Sequence, residues 1–571
     1  MVPHDARHGM EIDDDDDDFY TTAELDNAFS FHRRRHSKSE ETLSESLHDD
    51  DSGGKPHLMP DMQDYHHAVN VGDDLEIKPE IDTGDVSDAC FSFKKLWKYA
   101  GPGLLMSIAY LDPGNLESDL QSGAIAGYRL LWLLFWAHVI GLIFQLLSAR
   151  LGTITGRHLA QLIRESYSKP MTITLWTFAQ VAIIGADIME IVGTAVALHI
   201  LLNLPLWAGV LLTSLDTFTF MMIQRYGMRK LEAFFMVLVL VMTVCFWVEM
   251  FVSKPDAGQI LRGILIPIVP RNTAIQAVGM LGAIVMPHNM FLHSALVKSR
   301  DLGANPTVRK LKEANYYFGI ESALALFLSF LVNLAIVVVF AEVFYDPTSA
   351  GEKNIPGLAD ADVVLSRTLG SAAKYLWAAG LLAAGQSSTM TGTLAGQYVT
   401  EGFFGNIFKK EWHRVAATRS ISLIPSVCVA IFAVDHFDTM GELLNVLQSV
   451  CLPTVLIPIL KLSISPAVVP KEFRLSTVKQ IVCWLLTAVV VSLDVFLFVS
   501  HATTTHSFIL ILLFGTMYLV FLIWLIWLPL DYKAPSQQQD VDDWVPEAMQ
   551  GDDAGRDSIS TEIYPLLRAA E

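Results

Sequence analysis

Residues 104–120 read LLMSIAYLDPGNLESDL, an apolar run interrupted near its centre by Asp112-Pro113-Gly114-Asn115. An unbroken helix would satisfy its own backbone there. Proline instead removes an N–H and clashes with the preceding turn, and glycine adds backbone freedom. A second run, residues 277–296 (AVGMLGAIVMPHNMFLHSAL), is broken in the same way at Met286-Pro287-His288-Asn289. Each break sets freed carbonyls beside polar groups able to bind a cation. In lipid, broken backbone is tolerated only where it is buried in protein or lines a water-filled cavity. Two such breaks in separate parts of the chain point to an ion or substrate site near the bilayer midplane.

The rest of the chain supports a membrane reading. Its 571 residues are 52% hydrophobic, its mean hydropathy is +0.39, and its apolar residues fall in long runs. Twelve spans of about 20 residues, the length a hydrocarbon core requires, are expected. They lie at 99–128, 130–152, 171–202, 206–223, 231–252, 274–298, 318–345, 373–405, 415–434, 441–462, 481–500 and 507–530. The net charge of −20 belongs to the ends, since residues 1–90 carry 25 acids against 7 bases and residues 531–571 carry 10 against 3.

The expected organisation is a disordered acidic cytosolic tail (1–93), a transmembrane transporter domain (94–530) and a disordered cytosolic tail (531–571). The first tail holds Asp13 to Asp18, an Arg33-Arg34-Arg35 cluster beside the phosphorylation candidates Ser37 and Ser39, and solvated His32, His36, His57, His66 and His67. It lacks the apolar core of a signal peptide, so the first span is expected to act as its own insertion signal. The five cysteines have neither metal-ligand spacing nor a disulfide framework. No nucleophile–base set or phosphate loop supports an enzyme, no permanently bound cofactor is expected, and nothing points to nucleic acid.

Orientation follows from basic residues in short connections. Lys94, Lys95 and Lys98 precede the first span, and Arg157, Arg164 and Lys169 separate spans 2 and 3. Further groups are Arg225, Arg229 and Lys230, then Arg300, Arg309, Lys310 and Lys312, then Lys409, Lys410 and Arg414, then Lys471, Arg474 and Lys479. These are alternate connections, so they share the cytosolic side with both termini. Lys254, Arg262 and Arg271, between spans 5 and 6, conflict with that assignment. The breaks in spans 1 and 6 are five spans apart, and an odd number inverts the second copy. Spans 1–5 and 6–10 are thus expected to be inverted repeats, with spans 11 and 12 appended.

The chemistry of the breaks narrows the cargo. Asp112 and Asn115 supply oxygen ligands, and Met286 supplies a thioether. Oxygen alone suits Ca²⁺ or Mg²⁺, whereas a soft ligand favours transition metals. The site therefore reads as one for Mn²⁺ or Fe²⁺, with Co²⁺, Cd²⁺ or Zn²⁺ as competitors. His288 and His293 are five residues apart and do not share a helix face, which argues against a two-histidine clamp, and either can carry protons. Asp187 and Glu190, at i and i+3 in span 3, are intramembrane carboxylates of the kind that mark ion or proton paths. Arg419 is their candidate partner, with Arg414 as the alternative. Asp216, Glu232, Glu321, Asp494 and His138 fall in or near spans without an assigned role.

These residues resemble the natural-resistance-associated macrophage protein (NRAMP) family of proton-coupled divalent metal transporters. The resemblance covers about residues 94–530. It rests on Gly101-Pro102-Gly103, Asp112-Pro113-Gly114-Asn115, Asp187 with Glu190, Met286-Pro287-His288-Asn289 with His293 and Ser294, the run AGQSSTMTGTLAGQ at 384–397, and Glu401-Gly402-Phe403. It implies an all-α, LeuT-like inverted-repeat fold. It implies metal ligation by Asp112, Asn115, the Ala283 carbonyl and the Met286 sulfur, joined by a polar residue of span 10, for which Asn445 stands at the expected place and Gln448 is its neighbour. Proton uptake is implied at Asp112, with release through Asp187, Glu190, His288 and Arg419. Relatives that carry Mg²⁺ or Al³⁺ lack the methionine, so Met286 favours the transition-metal branch.

The C-terminal tail ends Glu562-Ile563-Tyr564-Pro565-Leu566-Leu567. This is similar to an acidic dileucine signal overlapping a tyrosine-based one, both read by endosomal adaptor proteins. The expected address is an endosomal, lysosomal or plasma membrane of a eukaryotic cell. Two other classes stand beside the metal symporter. A channel would lack saturation and proton dependence, and an organic-solute symporter would want a small apolar pocket at the breaks.

Overall fold

A computed structural model describes residues 91–532, except 225–227, 271–272, 304–305, 346–356, 359–360, 406–410, 434–436 and 505–507. The tail features named above, from Asp13 to His67 and from Glu562 to Leu567, lie outside the described residues, as do Arg225, Arg271, Lys409 and Lys410. The described residues fall within one compact unit, Asp61–Glu571, and contain no β-strand.

The chain opens with α1 (Phe93–Tyr99), α2 (Pro102–Ile108) and α3 (Pro113–Ala126). It continues through α4 (Leu131–Thr155), α5 (Leu159–Ser166), α6 (Lys169–Leu202), α7 (Leu206–Gln224) and α8 (Met228–Ser253). Next come α9 (Ala257–Leu265), α10 (Ala274–Ile284), α11 (Pro287–Leu296), α12 (Val308–Phe344), α13 (Ala361–Leu369) and α14 (Ser371–Phe404). The last are α15 (Glu411–Ala433), α16 (Phe437–Cys451), α17 (Pro453–Ile464), α18 (Thr477–Thr504) and α19 (Phe508–Trp527).

Helical segments stand at all the expected span positions. Spans 1 and 6 are each two half-helices, α2 with α3 and α10 with α11, and the breaks fall where the prolines stand. Span 10 differs from the expected single helix. Pro453 denies the Ser449 carbonyl its i+4 donor, Leu452 N bonds that carbonyl instead at 3.0 Å, and the span divides into α16 and α17. Span 7 starts ten residues early, at Val308, because Thr307 caps it by accepting from Lys310 N at 3.2 Å. Arg309, Lys310 and Lys312 are therefore on a helix rather than in a loop.

The connection after span 5 is also helical. Lys254, at φ 54, turns the chain, Asp256 accepts from Gly258 N at 2.8 Å, and α9 leaves α8 at 115°. Arg262 rides on this helix, which exposes Leu261 and Leu265.

On length and composition alone, six described helical runs are apolar enough to cross a membrane, or seven if the bent α8–α9 pair is one span. One run, Pro113–Thr155, joins the outer half of span 1 to span 2. Span 8 is less apolar than these runs because Gly, Ser and Thr crowd α14. Those small residues let α14 approach α6, and this is among the most extensive packings in the molecule.

The neighbours of each span obey a swap. Span 1 packs on span 7, and its counterpart span 6 packs on span 2. Span 5 packs on span 8 as span 10 packs on span 3, while spans 3 and 8 pair with each other, as do 2 and 7. The fold is an all-α, multi-pass membrane architecture of the LeuT-like kind, with two inverted five-span repeats followed by two further spans.

Candidate metal site between the two breaks

Proline decides which carbonyls are freed. A helical carbonyl accepts from the N–H four residues on, so Pro113 takes the donor from Ala109 and Pro287 takes it from Ala283. The Ala109 carbonyl accepts instead from Nδ2 of Asn289 at 3.4 Å, a bond from the second break to the first. Ala283 lies at the buried end of α10, one residue before the helix stops.

Asp112 caps α3 with φ −86 and ψ 167. Its Oδ1 accepts from Asn115 N at 2.8 Å and from Asn115 Nδ2 at 2.7 Å. Asn445, on α16, donates through Nδ2 to the Gly114 carbonyl at 3.1 Å. In both amides the partner is an oxygen, so the NH₂ end is engaged and the carbonyl end is left over. Asp112 Oδ2, Asn115 Oδ1, Asn445 Oδ1 and both polar atoms of Gln448 are buried without a hydrogen-bond partner. A Cβ placed on Gly114 would lie 3.2 Å from Asp112 Oδ2 and 3.2 Å from Asn445 Oδ1, so these two oxygens face one space. Met286 caps α11 and is 1% exposed. Buried acceptors are ordinarily satisfied, and several unsatisfied oxygens at one place suit a cation. Among the described residues no three His, Cys, Asp or Glu side chains are grouped so that they could hold a metal ion between them. A cation in this space would meet one carboxylate and neutral amide oxygens.

The seat of span 6 is tight. A Cβ on Gly282 would run into the Asn445 carbonyl oxygen and lie 2.6 Å from Ser449 N. Glycine at this position lets α10 lie directly against α16, beside Asn445 and Ser449.

The second group of expected residues surrounds α6. Arg419 Nη1 donates to Asp187 Oδ1 at 2.6 Å, with the side chains 4% and 0% exposed. Glu190 is buried beside them, and a Cβ on Gly392 would lie 3.2 Å from each Glu190 oxygen and 3.3 Å from Asp187 Oδ1. The small-residue run of α14 thus makes room for two carboxylates. His288 Nδ1 is buried without a partner. His293 faces elsewhere, its Nδ1 against the Gln145 carbonyl of α4 at 3.2 Å.

Other buried polar residues brace the site. Along α12, Glu321 Oε1 accepts from Gly101 N at 2.5 Å and Gly103 N at 3.0 Å. Ser329 Oγ donates to the Ser107 carbonyl at 3.0 Å and Asn333 Nδ2 to the Tyr110 carbonyl at 3.1 Å. These positions, at i, i+8 and i+12, share one face, and they hold the backbone of the inner half of span 1. His138 stands 3.4 Å from Asn333. Asp494, on α18, accepts from Ser449 Oγ at 2.7 Å, and Tyr518 OH, which donates to the Val450 carbonyl at 2.9 Å, lies 3.3 Å from its other oxygen. Of these, the sequence had drawn attention only to Glu321, His138 and Asp494. The i+8 and i+12 spacing from Glu321 was the available signal for Ser329 and Asn333.

The chain is similar to known proteins over most of its length. The chain is 46% identical over 426 residues to the metal transporter nramp1 homolog of Dictyostelium discoideum, covering 74% of this chain and 78% of that one. It is 45% identical over 493 residues to the metal transporter Nramp4 of Arabidopsis thaliana, covering 84% and 95%. Among solved structures it is similar to the Eremococcus coleocola manganese transporter in complex with an aromatic bis-isothiourea substituted compound. That match has a TM-score of 0.67 and 28% identity, and covers 79% of this chain and 98% of that one. The family model for natural resistance-associated macrophage protein-like chains matches residues 103–500. On that match and these identities, the chain belongs to the natural resistance-associated macrophage protein-like family.

Proposed function

We propose that this protein carries divalent transition-metal ions, Mn²⁺ and Fe²⁺ first, into the cytosol by proton-coupled symport with alternating access. The observation that carries the reading is the set of unpartnered buried oxygens of Asp112, Asn115 and Asn445, with Met286 buried at the second break. Relatives named as metal transporters support the substrate class.

In this mechanism the metal arrives at deprotonated Asp112. Asp112 Oδ2, Asn115 Oδ1, the Ala283 carbonyl and the Met286 sulfur face it, and Asn445 closes over it with Gln448 alongside. The sulfur gives the preference over Ca²⁺ and Mg²⁺. The proton leaves Asp112 through His288 towards Asp187, Glu190 and Arg419 and away from the metal's route, with His293 at the α4 side. The inner halves α2 and α11 then tilt to open the cytosolic side. Residues 94–530 form the transport unit between two cytosolic tails. The tail residues Glu562, Tyr564, Leu566 and Leu567 address it to endosomal or lysosomal membranes through adaptor proteins, where an acidic lumen drives export of metal to the cytosol.

The test is uptake in proteoliposomes of Mn²⁺, Fe²⁺, Mg²⁺ and Ca²⁺, with and without an inward proton gradient. Saturable Mn²⁺ and Fe²⁺ uptake that the gradient accelerates is expected, with Asp112→Ala losing both metal and proton flux. Normal uptake by Asp112→Ala overturns the site. Surface staining unchanged by Leu566→Ala/Leu567→Ala overturns the sorting assignment.

A further inference from the structure

The polar character of the site continues along α3. Asp112, Asn115, Asp119 and Ser122 stand at i, i+3, i+7 and i+10, a spacing that keeps them on one helix face. None is more than 1% exposed. Asp112 Oδ2, Asn115 Oδ1, both oxygens of Asp119 and the Ser122 hydroxyl are buried without hydrogen-bond partners. The neighbouring acid Glu117 behaves in the ordinary way. Its Oε1 accepts from Gln121 Nε2 at 2.5 Å and its Oε2 from Leu358 N at 3.1 Å. Buried carboxylates are normally satisfied like Glu117. One left unsatisfied on both oxygens inside a membrane protein marks an ion path. At 1.5 Å per residue, Asp119 lies about 10 Å along the axis from Asp112. Metal–oxygen bonds of about 2.0–2.6 Å cannot span that separation, so a single ion cannot touch both carboxylates.

We propose that Asp119 is a second cation-binding position, a station on the outer half of span 1 that holds a hydrated divalent metal ion before it reaches Asp112. Asp119 supplies the charge, the Ser122 hydroxyl a neutral oxygen, and the ion keeps part of its water shell. Asn115, between the two carboxylates, offers its Oδ1 to the passing ion. The inference rests on the metal-transport reading above and adds a position to it.

The experiment measures Mn²⁺ bound per chain by the paramagnetic signal of free Mn²⁺, using the full-length protein in lipid nanodiscs. The wild type is expected to bind a tight and a weaker ion, Asp112→Ala to keep the weaker one, and Asp112→Ala/Asp119→Asn to bind none. Asp119→Asn alone is expected to raise the KM for Mn²⁺ uptake about fivefold, and Asp119→Glu to restore it. A wild type that binds one ion, or an Asp112→Ala variant that binds none, overturns the station and needs no Asp119 variant to fold. A wild type that binds no Mn²⁺ refutes the transport reading itself.

Discussion

Replacing Gly282 with alanine tests whether the seat of α10 on α16 sets metal affinity. The new methyl group would meet the Asn445 carbonyl oxygen, Ser449 N at 2.6 Å and Ser449 Cα at 3.0 Å. All three are backbone atoms, so no rotamer change relieves the clash and the helices must separate by roughly 1.5 Å to reach ordinary contact at about 3.5–4.0 Å. Overpacking of this kind costs about 1–3 kcal/mol. Since the strain falls on the arrangement that brings Asn445 towards Asp112, it should appear as weaker binding, about 5- to 150-fold on the same scale. Gly279→Ala is the matched control: one turn away on the same helix, its Cβ would meet Asn445 Cβ at an unstrained 3.6 Å. Isothermal titration of Mn²⁺ into both purified variants measures the difference, with monodisperse elution confirming the fold. A folded Gly282→Ala protein with wild-type Mn²⁺ affinity would refute the argument, as would equal losses in the two variants.

Three further outcomes are expected. Met286→Ala keeps Mn²⁺ uptake and loses discrimination against Ca²⁺, read as competition by Ca²⁺ in proteoliposomes; intact Ca²⁺ exclusion would remove the sulfur from the selectivity argument. Arg419→Met leaves buried Asp187 uncompensated and destabilises by about 3–5 kcal/mol, whereas Asp187→Leu/Arg419→Met recovers most of the loss. Thermal melting in detergent decides, and additive losses contradict the pairing. Asp494→Leu, which takes the carboxylate from Ser449 and Tyr518, lowers stability by about 1–3 kcal/mol, while Asp494→Asn, which keeps an acceptor oxygen, loses less; equal melting temperatures refute that account.

Much of the architecture is written locally. Pro113 and Pro287 mark the breaks because a missing N–H is a property of one residue, and the offset of five spans between them implies the inversion. The i, i+3 spacing of Asp187 and Glu190 shows that they share a face, and the contact with Arg419 appears once α15 is packed on α6. What the sequence hid depends on register between distant helices. Glu321 stands in an apolar run without a role, and Ser329 and Asn333 are unremarkable there, until α12 lies along span 1 and each meets a backbone group. Ser449 acquires its partner only when α18 docks. The helices α9 and α13 were hidden for another reason: each is nine residues long, too short for periodicity to separate from a loop. Asp119 was within reach, since seven residues from Asp112 is two helical turns.

The bond from Asn289 to the Ala109 carbonyl has a mechanical consequence. At 3.4 Å it is already near the outer limit of a hydrogen bond, so the joint between the two half-helix pairs has almost no slack. A drift of a few tenths of an ångström breaks it, and the Ala109 carbonyl, deprived of its helical donor by Pro113, then needs water. Small independent excursions of either pair are penalised at once. A full separation that admits water loses the tether and regains hydration in the same step.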